Sequence, residues 1–471
     1  MDAQHGQKVV VELIKWDTNS LNPEGKIIEI LGFPDEPGVD IVSLVKGFEL
    51  PIKFPGKVET AARSIEFQLN EEVLRNRLDL REALTITIDP VDAKDFDDAV
   101  SLVKKDNGNY FLGVHIADVS HFVPENTIID KEARMRGTSI YLVDRVIPML
   151  PEHLSNELCS LQPQVPKLTF SCMMEIDSNG KVVDYRITPS VIISKRRFNY
   201  EEVQGIIDDQ DSSDPHRGLL VEMRDLSQKL RKIRERQGSI DFETPEVRIV
   251  MDDTGKPVEI IPVRRLQSHE LIEEFMLMAN KTVATHIKKI SGDNKMLPFI
   301  YRIHEKPDAD KIANFEGFLN ALGFSIKIPR EISPKKFQEI MNQVLGTKDD
   351  ILIKEVALRT MMKANYSTEN VGHFGLAFDD YTHFTSPIRR YPDLAIHRLL
   401  KKYDSLPGAD GIKGLHTELK QISQHSSERE RVALEAERES IKIKQVEWMA
   451  EHVGEEFEGL ISGVTAYGLF V

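Results

Sequence analysis

Five aspartates lie within ten consecutive residues, and they are the side chains in this sequence best placed to do chemistry. They are Asp89, Asp92, Asp95, Asp97 and Asp98. A single lysine dilutes them, so the carboxylates repel one another unless a hard cation compensates their charge. Oxygen ligands of this kind suit Mg²⁺ or Mn²⁺, and the spacing differs from that of a calcium-binding loop. The cluster predicts a magnesium site, with a solvated acidic turn as the alternative.

The residues around the aspartates weaken the case for a solvated acidic turn, so that it and the metal site are about equally favoured. Residues 85–88 read Thr-Ile-Thr-Ile, and residues 99–103 again alternate around Val and Leu. Such β-branched and apolar runs predict a buried strand on each side of the cluster. Magnesium held by carboxylates commonly serves phosphoryl transfer, because it activates water and orients the phosphate.

A second segment, residues 381–393, combines hydroxyl groups with two adjacent arginines, Arg389 and Arg390. Guanidinium groups bind phosphate oxygens bidentately, so the pair could clamp a phosphate. The alternative is an arginine pair that forms salt bridges to acidic surface. Two prolines in the segment predict an ordered turn, and Asp393 is a suitable N-cap for a helix that follows it.

Together the two segments supply what a hydrolytic nuclease needs, namely carboxylates for a metal and an arginine for the charge growing on a phosphate. Other phosphate and hydrolase signatures are missing from the sequence. It has no Walker-type phosphate loop, dinucleotide glycine fingerprint, His-Glu-x-x-His motif or serine elbow.

Residues 88–99 resemble the signature of the RNB catalytic domain, which is typical of the ribonuclease II and ribonuclease R family. Three further stretches agree with that family in the same order: 113–123, 136–142 and 382–391. The ribonuclease R branch fits best, partly through residues 241–246. The resemblance implies an α+β fold, in which a mixed or antiparallel sheet with packed helices is flanked by partial OB-type β-barrel segments.

The same resemblance implies a 3′→5′ exoribonuclease that hydrolyses single-stranded RNA to nucleoside 5′-monophosphates. Its cofactor would be Mg²⁺, for which Mn²⁺ could substitute. Asp89, Asp95 and Asp98 would ligate the metal. Asp97 would hold the attacking water or the terminal nucleotide, and Arg389 would contact the scissile phosphate. The alternative is a catalytically inactive RNA-binding regulator of the same fold, against which the intact aspartates count.

The resemblance also implies a set of substrate-binding side chains. They are Tyr141, Phe242, Glu437, Arg390, Tyr200 and Glu274. Tyr141 and Phe242 would stack on bases at the two ends of the buried 3′ segment, a contact that is blind to sequence. Glu437 would clamp the last nucleotide opposite Tyr141. The alternative for both aromatic residues is an ordinary place in the hydrophobic core.

Strands and helices must bring these segments together. Strand patterns dominate residues 84–263, apart from a helical repeat at 219–233. Helices are predicted afterwards at 271–290, 309–322, 334–345, 351–363, 393–401 and 414–452.

Both ends of the chain have the character of strands. Residues 7–16 and 26–32 resemble the close of a cold-shock barrel, and residues 459–471 resemble the opening of an S1 barrel. We therefore expect a fragment of a longer protein with three regions. These are an OB-type segment and linker at 1–60, the catalytic domain at 61–453 and the start of an S1 domain at 454–471.

The composition is that of an ordinary globular protein with more than one domain: 471 residues, 41% of them hydrophobic and 29% charged. No apolar stretch approaches the roughly 20 residues of a membrane span. Only two cysteines occur, Cys159 and Cys172, which favours a reducing compartment such as the cytoplasm. The net charge of −15 argues against an RNA partner at first sight, but binding depends on the local field. We expect a monomer.

Overall fold

The structure is a computed structural model that describes residues 2–16, 22–241, 246–292, 297–347, 349–404, 412, 414–459, 461, 463–465 and 468–470. The strands are β1 (Lys8–Lys15), β2 (Glu24–Gly32), β3 (Leu78–Asp89), β4 (Asp98–Lys104), β5 (Tyr110–Ala117), β6 (Ile140–Tyr141), β7 (Val146–Ile147), β8 (Pro166–Ile176), β9 (Val182–Asn199), β10 (Glu246–Met251), β11 (Pro257–Val263), β12 (Tyr301–Ile303), β13 (Asn365–Ser367), β14 (Gly463–Thr465) and β15 (Gly468–Phe470).

The helices are α1 (Val39–Gly47), α2 (Gly56–Arg63), α3 (Glu71–Leu74), α4 (Val119–Phe122), α5 (Ile128–Arg136), α6 (Tyr200–Asp208), α7 (Arg217–Gln237), α8 (Gln267–Ser291), α9 (Ala309–Ala321), α10 (Pro334–Val344), α11 (Asp350–Thr360), α12 (Tyr391–Asp404) and α13 (Leu415–Ala450). A π-helical turn covers His153–Leu158.

A closed barrel of β3, β4, β5, β8 and β9 forms the centre of the molecule. All neighbouring strands run antiparallel except β3 and β9, which are parallel, so the sheet is mixed. The parallel register pairs Asp89 with Asn199 at the ends of their strands. Because β4 runs back from Asp98, the aspartates at both ends of the β3–β4 loop lie at the same end of the barrel.

The two largest hydrophobic clusters of the described residues pack different sets of helices. The main one joins barrel residues such as Ile88 and Leu112 to Phe275 of α8 and Leu394 of α12. A second cluster takes most of its buried members from α9, α10 and α11, around Phe315 and Phe337, and the rest from segments between and after these helices. The three helices therefore share a core that is separate from the main one.

The six helices predicted after residue 270 are present, with ends that differ by a few residues. Two expectations were wrong. The region 84–263 holds α4, α5, α6 and the π-helical turn in addition to the one predicted helix, because short helices carry too few turns for a clear period. Asp393 is not an N-cap, because α12 begins at Tyr391.

The remaining elements are small. Strands β1 and β2 form a two-stranded antiparallel sheet, as predicted, and β14 and β15 form another. Cys159 and Cys172 are buried and unpaired. None of the helices in the described ranges is both long and apolar enough to cross a membrane.

Candidate active site at one end of the barrel

The loop between β3 and β4 is hereafter the aspartate loop. Its backbone forms hydrogen bonds with side chains from other parts of the chain. The hydroxyl group of Ser160 accepts a hydrogen bond from the backbone N–H of Phe96 at 3.1 Å. The Nη2 group of Arg197 donates to the carbonyl oxygens of Pro90 and Val91 at 2.7 and 2.9 Å. The loop that carries the carboxylates therefore has a fixed backbone.

Four of the five aspartate side chains are at least partly shielded from solvent. Asp89 and Asp97 are only 7% and 5% exposed, and Asp95 and Asp98 are half-buried. Burial and the Asp98 carboxylate raise the pKa of Asp89 to about 8. Burial raises the pKa of Asp98 to about 6, although Arg389 acts in the opposite direction. Burial also raises the pKa of Asp97 well above its ordinary value. Burial therefore disfavours the ionised form of all three carboxylates.

Three of these side chains fit a hard cation by their donor chemistry. The Oδ2 atom of Asp89 is buried and accepts no hydrogen bond, and oxygen ligands suit Mg²⁺. Asp95 and Asp98 border the same cluster, since each influences the pKa of Asp89. Within the described residues, no three or more histidine, cysteine, aspartate or glutamate side chains lie close enough together to hold a metal ion. The fit to a metal therefore rests on the type of the donor atoms and on the unpaired Oδ2 atom of Asp89.

The turn at residues 386–390, hereafter the arginine turn, meets the aspartate loop at Asp97. The backbone N–H of Ile388 donates to Asp97 Oδ1 at 2.9 Å, a contact between residues 291 positions apart. The Nε atom of Arg389 lies 3.8 Å from Asp97 Oδ2. The guanidinium also donates to the Ser386 hydroxyl at 3.0 Å and stays partly exposed. Arg389 can therefore reach a bound phosphate while remaining beside Asp97.

Arg390 points inward instead. Its Nε and Nη2 groups donate to both carboxylate oxygens of Asp393, at 3.0 and 2.7 Å. Asp393 is fully buried and also accepts a hydrogen bond from the backbone N–H of Ser386 at 2.8 Å. Arg390 thus forms an ion pair within the protein, as the alternative for the arginine pair supposed, but its partner is a buried carboxylate and not acidic surface.

Tyr141 lies at the edge of the site. The residues just before β6 pair with the arginine turn, since the backbone N–H of Ser139 donates to the Arg389 carbonyl at 2.9 Å. The Tyr141 side chain is 37% exposed, so it is not a core residue. Burial of its hydroxyl raises its pKa, while Arg389 acts in the opposite direction and Asp95 and Asp97 add to the rise.

Tyr200 lies on the other side of the carboxylates. It is the first residue of α6, directly after β9, and its ring stacks on His269 with the centroids 4.1 Å apart. Burial raises the pKa of its hydroxyl, and the charges of Asp98 and Asp89 add to the effect.

The three remaining predicted residues are placed differently. Glu437 is half-buried on α13, and that helix packs behind β6: the Ser440 hydroxyl accepts a hydrogen bond from the backbone N–H of Val143 at 3.1 Å. Glu274 is buried in an ion pair with Arg234 and lines a cavity of about 450 Å³ beside the β8–β9 hairpin. It is not brought to the carboxylates. Phe242 lies outside the described residues.

Two family profiles match the chain. Residues 77–405 match the RNB domain, and residues 1–55 match the cold shock domain. The chain belongs to the RNB family. The predicted family is therefore confirmed.

Similar proteins agree with this assignment. The RNB chain is 44% identical to ribonuclease R of Thermotoga maritima, covering 100% of this chain and 67% of that protein. It is 43% identical to ribonuclease R 1 of Lactococcus lactis, covering 95% of this chain and 55% of that protein. The chain thus spans between about half and two thirds of the length of these relatives.

A solved structure confirms the α+β fold class. The RNase R of Mycoplasma genitalium, in complex with ribose-methylated single-stranded RNA, superposes with a TM-score of 0.92. It is 29% identical in sequence, and the match covers 99% of this chain and 73% of that one.

Sequence reasoning missed Ser160 and Arg197, both of which hold the aspartate loop. Neither belongs to a motif, and each acts through hydrogen bonds to backbone groups more than 60 positions away. A single sequence carries no signal for contacts of that kind.

Proposed function

We propose that this RNB-family chain is a magnesium-dependent 3′→5′ exoribonuclease that releases nucleoside 5′-monophosphates from single-stranded RNA. The meeting of Asp97 with Ile388 and Arg389 is the observation that carries the proposal, because it joins a carboxylate cluster to a phosphate-binding guanidinium. The names of the relatives, ribonuclease R, and the RNA in the Mycoplasma complex support it. We further propose residues 61–453 as the catalytic unit.

In the proposed reaction, water attacks the phosphorus of the last phosphodiester bond. The bond to the O3′ atom of the preceding nucleotide breaks, O3′ takes up a proton, and the 5′-monophosphate leaves. Magnesium, bound by Asp89, Asp95 and Asp98, would polarise the phosphate and lower the pKa of the water. Arg389 stabilises the charge on the phosphate oxygens.

Asp97 orients the attacking water. Its Oδ1 atom is occupied by the N–H of Ile388, so Oδ2 is left to accept a hydrogen bond from the water. Burial raises the pKa of this carboxylate, and in its ionised form it would accept the proton that the water loses.

The side chains around this centre would hold the 3′ end. Tyr141 would stack on the terminal base, Glu437 would clamp the same nucleotide, and Tyr200 would line the path of the strand. Base stacking is independent of sequence, so the enzyme would degrade RNA of any composition.

Incubation with 5′-labelled RNA tests the proposal. With Mg²⁺ or Mn²⁺ the label should move to ever shorter products, and the bases should appear as 5′-monophosphates. Excess EDTA should stop the reaction, and added Mg²⁺ should restore it. Hydrolysis that continues in EDTA would remove the metal from the mechanism. RNA binding without hydrolysis under all conditions would favour the inactive regulator instead.

A further inference from the structure

Arg197 contacts the aspartate loop in several ways at once. It lies on β9, two residues before the end of the strand, and pairs in parallel register with Thr87 of β3. Besides its two hydrogen bonds to the carbonyl oxygens of Pro90 and Val91, its guanidinium lies 4.9 Å from the centroid of the Phe96 ring. One side chain therefore holds both the beginning and the end of the loop.

These contacts surround the metal-binding carboxylates. Pro90 follows Asp89, and Phe96 lies between Asp95 and Asp97 in the sequence. The charge of Arg197 also acts on Asp89, where it favours the ionised form against the effect of burial. The hydrogen bonds of the Arg197 guanidinium go to backbone oxygens of the loop and not to Asp97 or Arg389, so its influence on the reaction would be indirect.

We propose that Arg197 is a positioning residue that keeps the carboxylates of the aspartate loop in the arrangement that binds the metal. This inference rests on the metal site of the proposed function. Groups behind metal ligands commonly matter in this way, and their loss typically weakens metal binding by about 10- to 100-fold.

Two effects of Arg197 on metal binding oppose each other. Fixing the loop strengthens binding, because flexible carboxylates lose more entropy when they bind an ion. A positive charge near the site weakens binding, because it repels the cation. The proposal states that the first effect is larger, so removal of the side chain should weaken metal binding. Repulsion alone would make the same substitution strengthen it.

The experiment measures Mn²⁺ binding to the whole chain without RNA, from the electron paramagnetic resonance signal of free Mn²⁺. Arg197→Met keeps the apolar stem against Phe96 but removes the charge and the hydrogen bonds. Arg197→Lys keeps the charge and one hydrogen bond. Arg196→Met is the matched control, because the neighbouring Arg196 pairs with Asp214 and Glu202 instead of the loop. Asp89→Asn serves as the reference for loss of a ligand.

Arg197→Met should bind Mn²⁺ about tenfold more weakly than the wild type. The Mn²⁺ affinity of Arg197→Lys should lie between those of Arg197→Met and the wild type. Arg196→Met should bind Mn²⁺ as tightly as the wild type, even if it melts at a lower temperature. Wild-type or tighter binding by Arg197→Met would overturn the inference. If Asp89→Asn also bound Mn²⁺ like the wild type, the metal site itself, and with it the inference, would fail. If Arg197→Met does not fold, Arg197→Lys decides alone: weaker Mn²⁺ binding than the wild type supports the inference, and equal or tighter binding overturns it.

Discussion

Asp97 is the residue through which the aspartate loop contacts the arginine turn. One of its oxygens fixes the arginine turn through Ile388, and the other faces Arg389. Asp97→Asn preserves the shape of the side chain and the acceptor for Ile388. It removes the negative charge that orients and deprotonates water. We therefore expect turnover to fall by several orders of magnitude, with RNA affinity in EDTA nearly unchanged.

Single-turnover kinetics and equilibrium binding of the same RNA would separate the two effects of Asp97→Asn. The matched control is Asp92→Asn, which removes one charge from an exposed position in the same loop and should retain most of the activity. Near-normal turnover in Asp97→Asn would show that this carboxylate takes no part in the chemistry.

Tyr141 allows a test of substrate positioning at a single residue. Stacking on a base contributes about 1–3 kcal/mol, which is a small share of the binding of a long RNA but a large share for a short one. Tyr141→Ala should degrade long RNA at a nearly normal rate and stop at a longer end product. A gel that resolves single nucleotides measures the product length.

The two interpretations of Tyr141, as a base-stacking residue or as a core residue, predict different losses of stability for Tyr141→Ala. A core tyrosine would cost roughly 3–5 kcal/mol on truncation, but this side chain is 37% exposed and should cost less. Tyr185→Ala, near the start of β9 and so toward the opposite end of the barrel, is a suitable control with no expected change in product length. An unchanged end product together with a large loss of stability would contradict the stacking role.

At the scale of elements, the arginine turn depends on the start of α12. Asp393 binds both Arg390 and the backbone N–H of Ser386 from a fully buried position. Asp393→Ala should therefore cost about 3–5 kcal/mol of unfolding free energy, because it leaves Arg390 unpaired in the interior. It should also lower turnover, since the turn carries Arg389.

Urea unfolding and steady-state kinetics on Asp393→Ala check both effects. The double variant Arg390→Met/Asp393→Leu replaces the pair by apolar side chains and should recover much of the stability. Its turnover should stay low, because the backbone N–H of Ser386 then lacks the carboxylate that accepts its hydrogen bond. Full recovery of turnover in the double variant would show that Asp393 acts through charge balance and not through the shape of the turn.

The sequence predicted some of these elements and not others, for physical reasons. The long helices were predicted because α13 and α8 extend over many turns of apolar periodicity. Closure of the barrel could not be predicted, because it depends on the parallel pairing of β3 with β9. The paired residues of these strands are about 110 positions apart. The metal ligands stand out as a motif, whereas Arg197 serves the site through backbone contacts that no local pattern records.

At the scale of the whole molecule, the chain is strongly acidic yet is proposed to bind a polyanion. The carboxylates of the site are mostly buried, and a bound metal would offset their charge when they ionise. Arg389, beside Asp97, would then supply positive charge close to a bound phosphate. Net charge is thus a poor guide to the partner, and the local arrangement of charges is a better one.

Regions flanking the barrel should add affinity for RNA. Strands β1 and β2 form a sheet of only two strands, which is marginal in water, and Trp16 and Ile14 on β1 and next to it are largely exposed. Residues 1–55 match the cold shock domain, and OB-type folds of that kind bind single strands by stacking and basic surface. An extended version of the chain that carries a complete OB-type domain should bind RNA more tightly.

The comparison requires matched salt, because phosphate contacts make affinity depend on ionic strength. The extended protein should show both a lower Kd and a steeper decline of affinity with salt, since each added phosphate contact releases counterions. Its rate of hydrolysis at saturating RNA should stay close to that of the present chain, because the barrel and both segments of the site are the same. Equal dissociation constants and equal salt slopes for the two proteins would show that the RNB region alone provides the binding surface.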